Sequence, residues 1–131
     1  SLQENSKLHV IAEDVVESSH NGIVAWEKES YVQPILIKGK DDYFKTVERW
    51  RVLEEFFREK GIKFFEIKSI EGNILSKIVN LVYLLDYSSI YHAVLNRIDP
   101  SPVKAIDFVK SRIWVSSIVN KTKILIFYNK I

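Results

Sequence analysis

The chain lacks cysteine and methionine altogether and holds only four glycines and three prolines in 131 residues. Without cysteine there is no disulfide, no thiolate nucleophile and no Cys-ligated metal, a usage that fits a reducing cytoplasmic setting. So few glycines leave room for neither a P-loop nor a GxGxxG fingerprint, and none is present. His9, His20 and His92 stand at no metal-ligand spacing. No uninterrupted apolar run reaches spanning length, and no basic stretch leads into an apolar one near the start. Neither membrane insertion nor export is therefore indicated. Charge of one sign is missing too: nineteen basic against seventeen acidic residues leave a net +2, too balanced for a nucleic-acid footprint. A chain that opens Ser1-Leu2 with no initiator methionine reads as a cloning remnant on an excised domain, with the missing part N-terminal to Gln3.

What is there suffices for one domain with a real core: 47% of residues are hydrophobic and 12% aromatic. After the polar turn 3–7, the apolar run 8–11 reads as a short strand, and a short helix opening near Ser18 or Ser19 takes in Ile23 to Trp26. Residues 32–38 are a buried-strand candidate, followed by the loop and helix cap Gly39-Lys40-Asp41-Asp42. From 42 to 60 the pattern is helical: Phe44, Val47, Leu53 and Phe57 share a face, Glu54 and Arg58 pair at i,i+4, and Gly61 is the stop. Residues 62–69 form the next strand. The longest helix, 73–97, is apolar on most sides apart from Asn80, Asp86 and Ser88, so it is expected to be buried on more than one side, as a central helix and a subunit interface. A strand-like TKILIFY lies at 122–128. Strands alternating with long helices favour a layered α/β domain with a mainly parallel sheet.

Several apparent motifs dissolve on inspection. Asp86, Ser88 and His92 look like triad material, but Ser88 and His92 lie one helical turn apart and serve helix-internal hydrogen bonds. Trp26, Trp50 and Trp114 are read as core residues. The stretch 84–110 says more. A helix breaks at Asp99-Pro100-Ser101-Pro102, and a second one starts there carrying Ile106-Asp107-x-x-Lys110, so the break fixes where Lys110 stands. Three polar residues are left unused by local structure: Glu4, His20 and Lys110. Each also has a plain reading, as terminal charge, helix cap and solvated helix residue, and composition alone favours those.

Three blocks in order resemble the C-terminal domain of archaeal and bacterial bifunctional phosphoglucose/phosphomannose isomerases. Gln3-Glu4-Asn5-Ser6-Lys7 is similar to the NENxK block that holds that family's catalytic glutamate. Ser19-His20-Asn21-Gly22-Ile23-Val24-Ala25-Trp26 resembles its HNEIVGW block, with a catalytic histidine, and 84–110 resembles its closing signature, which ends in a catalytic lysine. The likeness covers about residues 3–113. Gly22 stands where the family usually has Glu, and Gln3 where it has Asn. The resemblance implies an α/β, three-layer SIS-type (sugar isomerase) fold, a mainly parallel sheet flanked by helices, with two such domains per chain in a homodimer. Residues 3–131 then form the C-terminal domain, with 113–131 an atypical extension and the N-terminal SIS domain absent.

The same resemblance implies the chemistry. Interconverting glucose 6-phosphate, or mannose 6-phosphate, with fructose 6-phosphate needs ring opening, a proton moved between C1 and C2, and a stabilised enediolate. By resemblance Glu4 is the base, His20, contributed across the dimer, opens the ring, and Lys110 is the fixed cation. No cofactor is required. The phosphate loops and an arginine belong to the first domain in the family, so this fragment alone is expected to be inactive. The alternative reading is a non-catalytic SIS-type module that binds a sugar phosphate or serves a regulator; a purely structural dimerisation domain is a third.

Overall fold

The computed structural model describes residues 2–119, with side chains through residue 113. Pro34, which cannot donate a ladder hydrogen bond, sits just before strand β1, Ile35–Lys38. This strand pairs in parallel with β2, Phe65–Lys68, with Ile35 opposite Phe65 and Lys38 opposite Lys68. A parallel pair needs a long crossover, supplied here by the helix Phe44–Glu59. It is the third helix in chain order, α3, after the short α1, Leu2–Asn5, and α2, Val15–Ser18. A 3-10 turn at Gly22–Glu27 follows α2.

Alternation along β1 divides its neighbours. Leu36 and Lys38 point to the buried side, while Ile35 and Ile37 are exposed. Leu36 joins Leu53 and Phe57 of α3 in the core, and Ile23, Trp26, Trp50, Phe56, Ile62 and Phe64 pack around them. Trp26 meets Phe57 edge-on at 5.3 Å between ring centroids, so the 3-10 turn is pinned to the core by an aromatic pair. Trp26 and Trp50 are core residues, as expected; Trp114 lies outside the described side chains. Phe44 and Val47, placed on the core face from the sequence, are exposed. Only the C-terminal half of α3 crosses the core, and Phe44 packs instead against Tyr43 at 4.5 Å.

The ends of α3 follow local chemistry. At its C-terminus Gly61 takes φ 68, Gly61 N–H donates to Arg58 O and Ile62 N–H to Phe57 O. This is the Schellman closure that glycine favours. At the N-terminus Tyr43 is the cap and makes no side-chain bond. Asp42, one residue earlier, folds back to accept from Gly39 N–H (2.9 Å) and from Trp50 Nε1 (3.2 Å), where a Cβ on Gly39 would collide with it.

Helix α4, Ile74–Leu95, opens on Asn73, whose side chain accepts from Ser76 N–H. Lys77 ties it to Asp41 in the β1–α3 loop. It closes with a second Schellman pattern, Ile98 N–H to Ala93 O and Arg97 N–H to Val94 O, with Arg97 at φ 56. Burial departs from expectation: only Ser89 and Ala93 are buried, and large side chains such as Tyr83, Tyr87 and Leu95 stand exposed. The small residues mark the face on which α1 docks. Helix α5, Lys104–Val119, begins past the 99–102 break, and its described side chains beyond Val103 are all exposed. Residues 8–11 form no strand; Val10 and Ile11 line a cleft with Ile35 and Ile37 without pairing with β1. The strand expected at 122–128 lies outside the described residues.

Candidate active site

Glu4 sits on a four-residue helix too short to be stable by itself, so tertiary bonds must hold it. They come from α4. Asn5 Nδ2 donates to Ser89 Oγ at 2.7 Å, Ser6 Oγ donates to Ser89 O at 2.7 Å, and Ser89 Oγ donates to Asp86 O. Ser6 and Ser89 are 0% exposed, and the small Ser89 and Ala93 let the α1 backbone approach α4 closely. A buried hydroxyl without partners costs about 1–3 kcal/mol, so this fully satisfied pair specifies where α1 lies. The Glu4 carboxylate itself is exposed and makes no hydrogen bond or ion pair among the described residues.

Lys7 completes the corner. Its backbone is left-handed, φ 56, at the exit from α1. Its ammonium donates to Glu4 O (2.5 Å) and Pro102 O (2.9 Å), with a longer bond to Pro100 O (3.5 Å). The proline break is shaped further by Asp99, whose carboxylate accepts from Ser101 N–H at 2.9 Å, and Val103 O takes the first N–H groups of α5. The break therefore fixes the start of α5, as the prolines imply. Lys110 stands nearly two turns along α5, exposed and without an ion pair among the described residues.

His20 stands on a different segment of the chain. It lies in the turn between α2, capped by Asp14, and the Trp26-anchored 3-10 turn, and its N–H donates to Glu17 O at 3.0 Å. Its ring is exposed. At Gly22 a Cβ would run into the Glu13 carboxylate, so this carboxylate fills the space next to the histidine turn. Glu4 and the base of the Lys110 helix are thus brought together, whereas no hydrogen bond or ion pair joins His20 to either among the described residues. A cleft of about 450 Å³ opens beside α1, lined by Gln3, Val10, Ile35, Ile37 and Leu85.

The triad-like set behaves as helix-internal chemistry. Ser88 Oγ donates to Leu84 O at 2.7 Å, and the His92 ring faces Asn96. The most concentrated charge lies under the sheet instead. Lys38, only 7% exposed, pairs with Glu54 and with Glu66 at 3.0 Å, and Arg58 reaches Glu54 at 2.7 Å. Burial pushes the Glu54 carboxyl up, but hydrogen bonds from Lys38 and Arg58 outweigh it and hold it below the usual carboxylate range. This cluster braces core against α3 and is remote in sequence from the three candidates. The roles of Lys7 and of the Ser6–Ser89 pair were not assigned from the sequence, although Ser6 and Lys7 stand in the Gln3–Lys7 block and Ser89 lies four residues before an alanine in an apolar helix.

Comparison with known proteins supplies the context. Residues 1–113 match the model of the bacterial phospho-glucose isomerase C-terminal SIS domain. The chain is 29% identical over 114 residues to a bifunctional phosphoglucose/phosphomannose isomerase of Caldicellulosiruptor bescii, covering 84% of this chain and 34% of that protein. A protein of the same name from Aquifex aeolicus is 25% identical over 115 residues, covering 86% and 36%. The chain thus spans about a third of the length of the curated relatives it matches. No solved structure matches it significantly. With helices, a small parallel sheet and a match spanning all three sequence blocks, the chain belongs to the bacterial phospho-glucose isomerase C-terminal SIS domain family.

Proposed function

We propose that this chain supplies one wall of an aldose–ketose isomerase site that interconverts glucose 6-phosphate or mannose 6-phosphate with fructose 6-phosphate. The observation that carries the reading is the family match, which spans Glu4, His20 and Lys110 together. Glu4 takes the C2 proton of the open-chain aldose and returns it to C1, giving the ketose through an enediolate. A solvated carboxylate is a weak base for that step, so the exposed Glu4 gains strength only when substrate and the rest of the protein cover it. Lys110 stabilises charge on the enediolate oxygens and assists ring opening. His20 moves the ring-opening proton from the partner subunit.

The remaining two thirds of the protein complete this site. Two features support that: the exposed Ile35–Ile37 face of the sheet, where a three-layer arrangement would add its second helical layer, and the exposed apolar flanks of α4. By length and composition α4 could also cross a membrane. Asp86 near its middle would cost about 3 kcal/mol there, and Ser89 already binds Asn5 and Ser6, so protein is the better cover. The whole enzyme is a cytoplasmic homodimer in this reading. Glu4→Gln in the whole protein tests it. An isomerase loses about 10²- to 10⁴-fold in kcat with substrate binding retained. An unchanged rate removes Glu4 as base, and sugar-phosphate binding without turnover in the unmutated protein supports the non-catalytic module.

A further inference from the structure

We infer that Lys7 is a positioning residue for this reaction, holding the Glu4 turn and the start of the Lys110 helix in one fixed relation; the inference rests on the isomerase reading. An ammonium has three N–H donors, and Lys7 spends them on three carbonyls: Glu4 O, Pro102 O and Pro100 O. One acceptor lies on the segment that carries Glu4, and the other two lie on the break that launches α5. Among the described residues no other side chain bonds both segments. The two prolines cannot donate from their own nitrogens, but their carbonyls are left free to accept, so the break is built as a receptor for a cation.

A second, independent sign is the backbone. Lys7 holds φ 56, a region that costs a non-glycine residue about 1 kcal/mol or more, and glycine there would remove the strain at the expense of the ammonium. Strain kept together with a saturated cation points to a geometric duty. Ser6 and Ser89 already dock α1 on α4, so Lys7 is not needed to attach the segment. What it adds is the link to 100–102, and through it the direction of α5.

The test uses the whole protein with Lys7→Met, which keeps length and loses the donors. Three results are expected together. Hydrogen exchange rises at residues 4–8 and 101–107 while α3 stays protected; kcat falls about 10- to 100-fold with KM within about twofold; and the same change made on top of Glu4→Gln costs clearly less than it does alone. Lys7→Arg, which keeps the charge but not three convergent donors, recovers only part of kcat. Unchanged exchange in both segments overturns the tether whatever the activity. Raised exchange with an unchanged kcat, or a full Lys7→Met effect on top of Glu4→Gln, overturns its catalytic role. Full activity in Glu4→Gln alone removes Glu4 as the base, absence of turnover in the unmutated protein refutes the isomerase reading, and in either case exchange still decides the tether.

Discussion

Glu54 is the residue whose removal the core should feel most through charge. Glu54→Gln leaves the Lys38 ammonium, 7% exposed, with Glu66 as its remaining carboxylate. A loss of about 2 kcal/mol in unfolding free energy is expected from urea titration. The pH dependence has a definite sign. The folded-state pKa is lowered, so the unfolded chain binds the proton more readily. The contribution is full above the ordinary carboxylate range and is lost as pH falls through the folded value. The gap between wild type and Glu54→Gln should therefore narrow on acidification, and an unchanged gap at acid pH would remove the ion pair as its source. At this scale the sequence was legible where a local pattern marks a residue, as in the family-like blocks behind the proposed site. Glu4, His20 and Lys110 each sit in such a block, and Glu54–Arg58 sits at a helical spacing. Lys7 stood in such a block too, but its bonding was not legible, since two of its three acceptors lie 93 and 95 residues away and all are backbone atoms with no residue-type signature.

Helix α3 and helix α4 end in the same way with different residues at the left-handed position, Gly61 and Arg97. Gly61→Ala should destabilise by about 1 kcal/mol, and Arg97→Gly should stabilise by about the same, both read as shifts in denaturation midpoint. Opposite signs are required; two losses would mean that Arg97 makes a contact worth more than its strain. Both helices were readable from caps and stop signals: Asn73 before α4, and Gly61 after α3. The face of α3 was only half readable, because period alone placed Phe44 and Val47 on the stripe without saying how far the sheet reaches beneath it. The run 8–11 was misread as a strand because so short a stretch, with Leu8, Val10 and Ile11 as its apolar residues, does not say whether a ladder forms. The two strands were located correctly but came out shorter, ending where the parallel ladder ends.

Over the whole molecule the largest departure from expectation is the exposure of α4, which an apolar composition on most sides would have placed deep inside. Composition says that a surface needs covering and cannot say by what. Since the chain spans about a third of its curated relatives, that cover is expected from the rest of the protein and from a second copy. The isolated chain should accordingly show no measurable conversion of glucose 6-phosphate in a coupled assay, and sedimentation should show association that rises with concentration. A strict monomer at high concentration would speak against α4 as a subunit interface. Turnover by the isolated chain would show that no further domain is needed.

The Glu4 corner also has a place in time. Its ties join residues 83 to 95 apart, whereas the parallel strands pair residues 30 apart, as Ile35 with Phe65. Tripling the loop to be closed costs about 1 kcal/mol more in chain entropy, and few apolar contacts reward it. The strand–α3–strand unit should therefore assemble first, and the corner last. On unfolding the order reverses, so the region proposed for catalysis is the first to open when the protein is stressed.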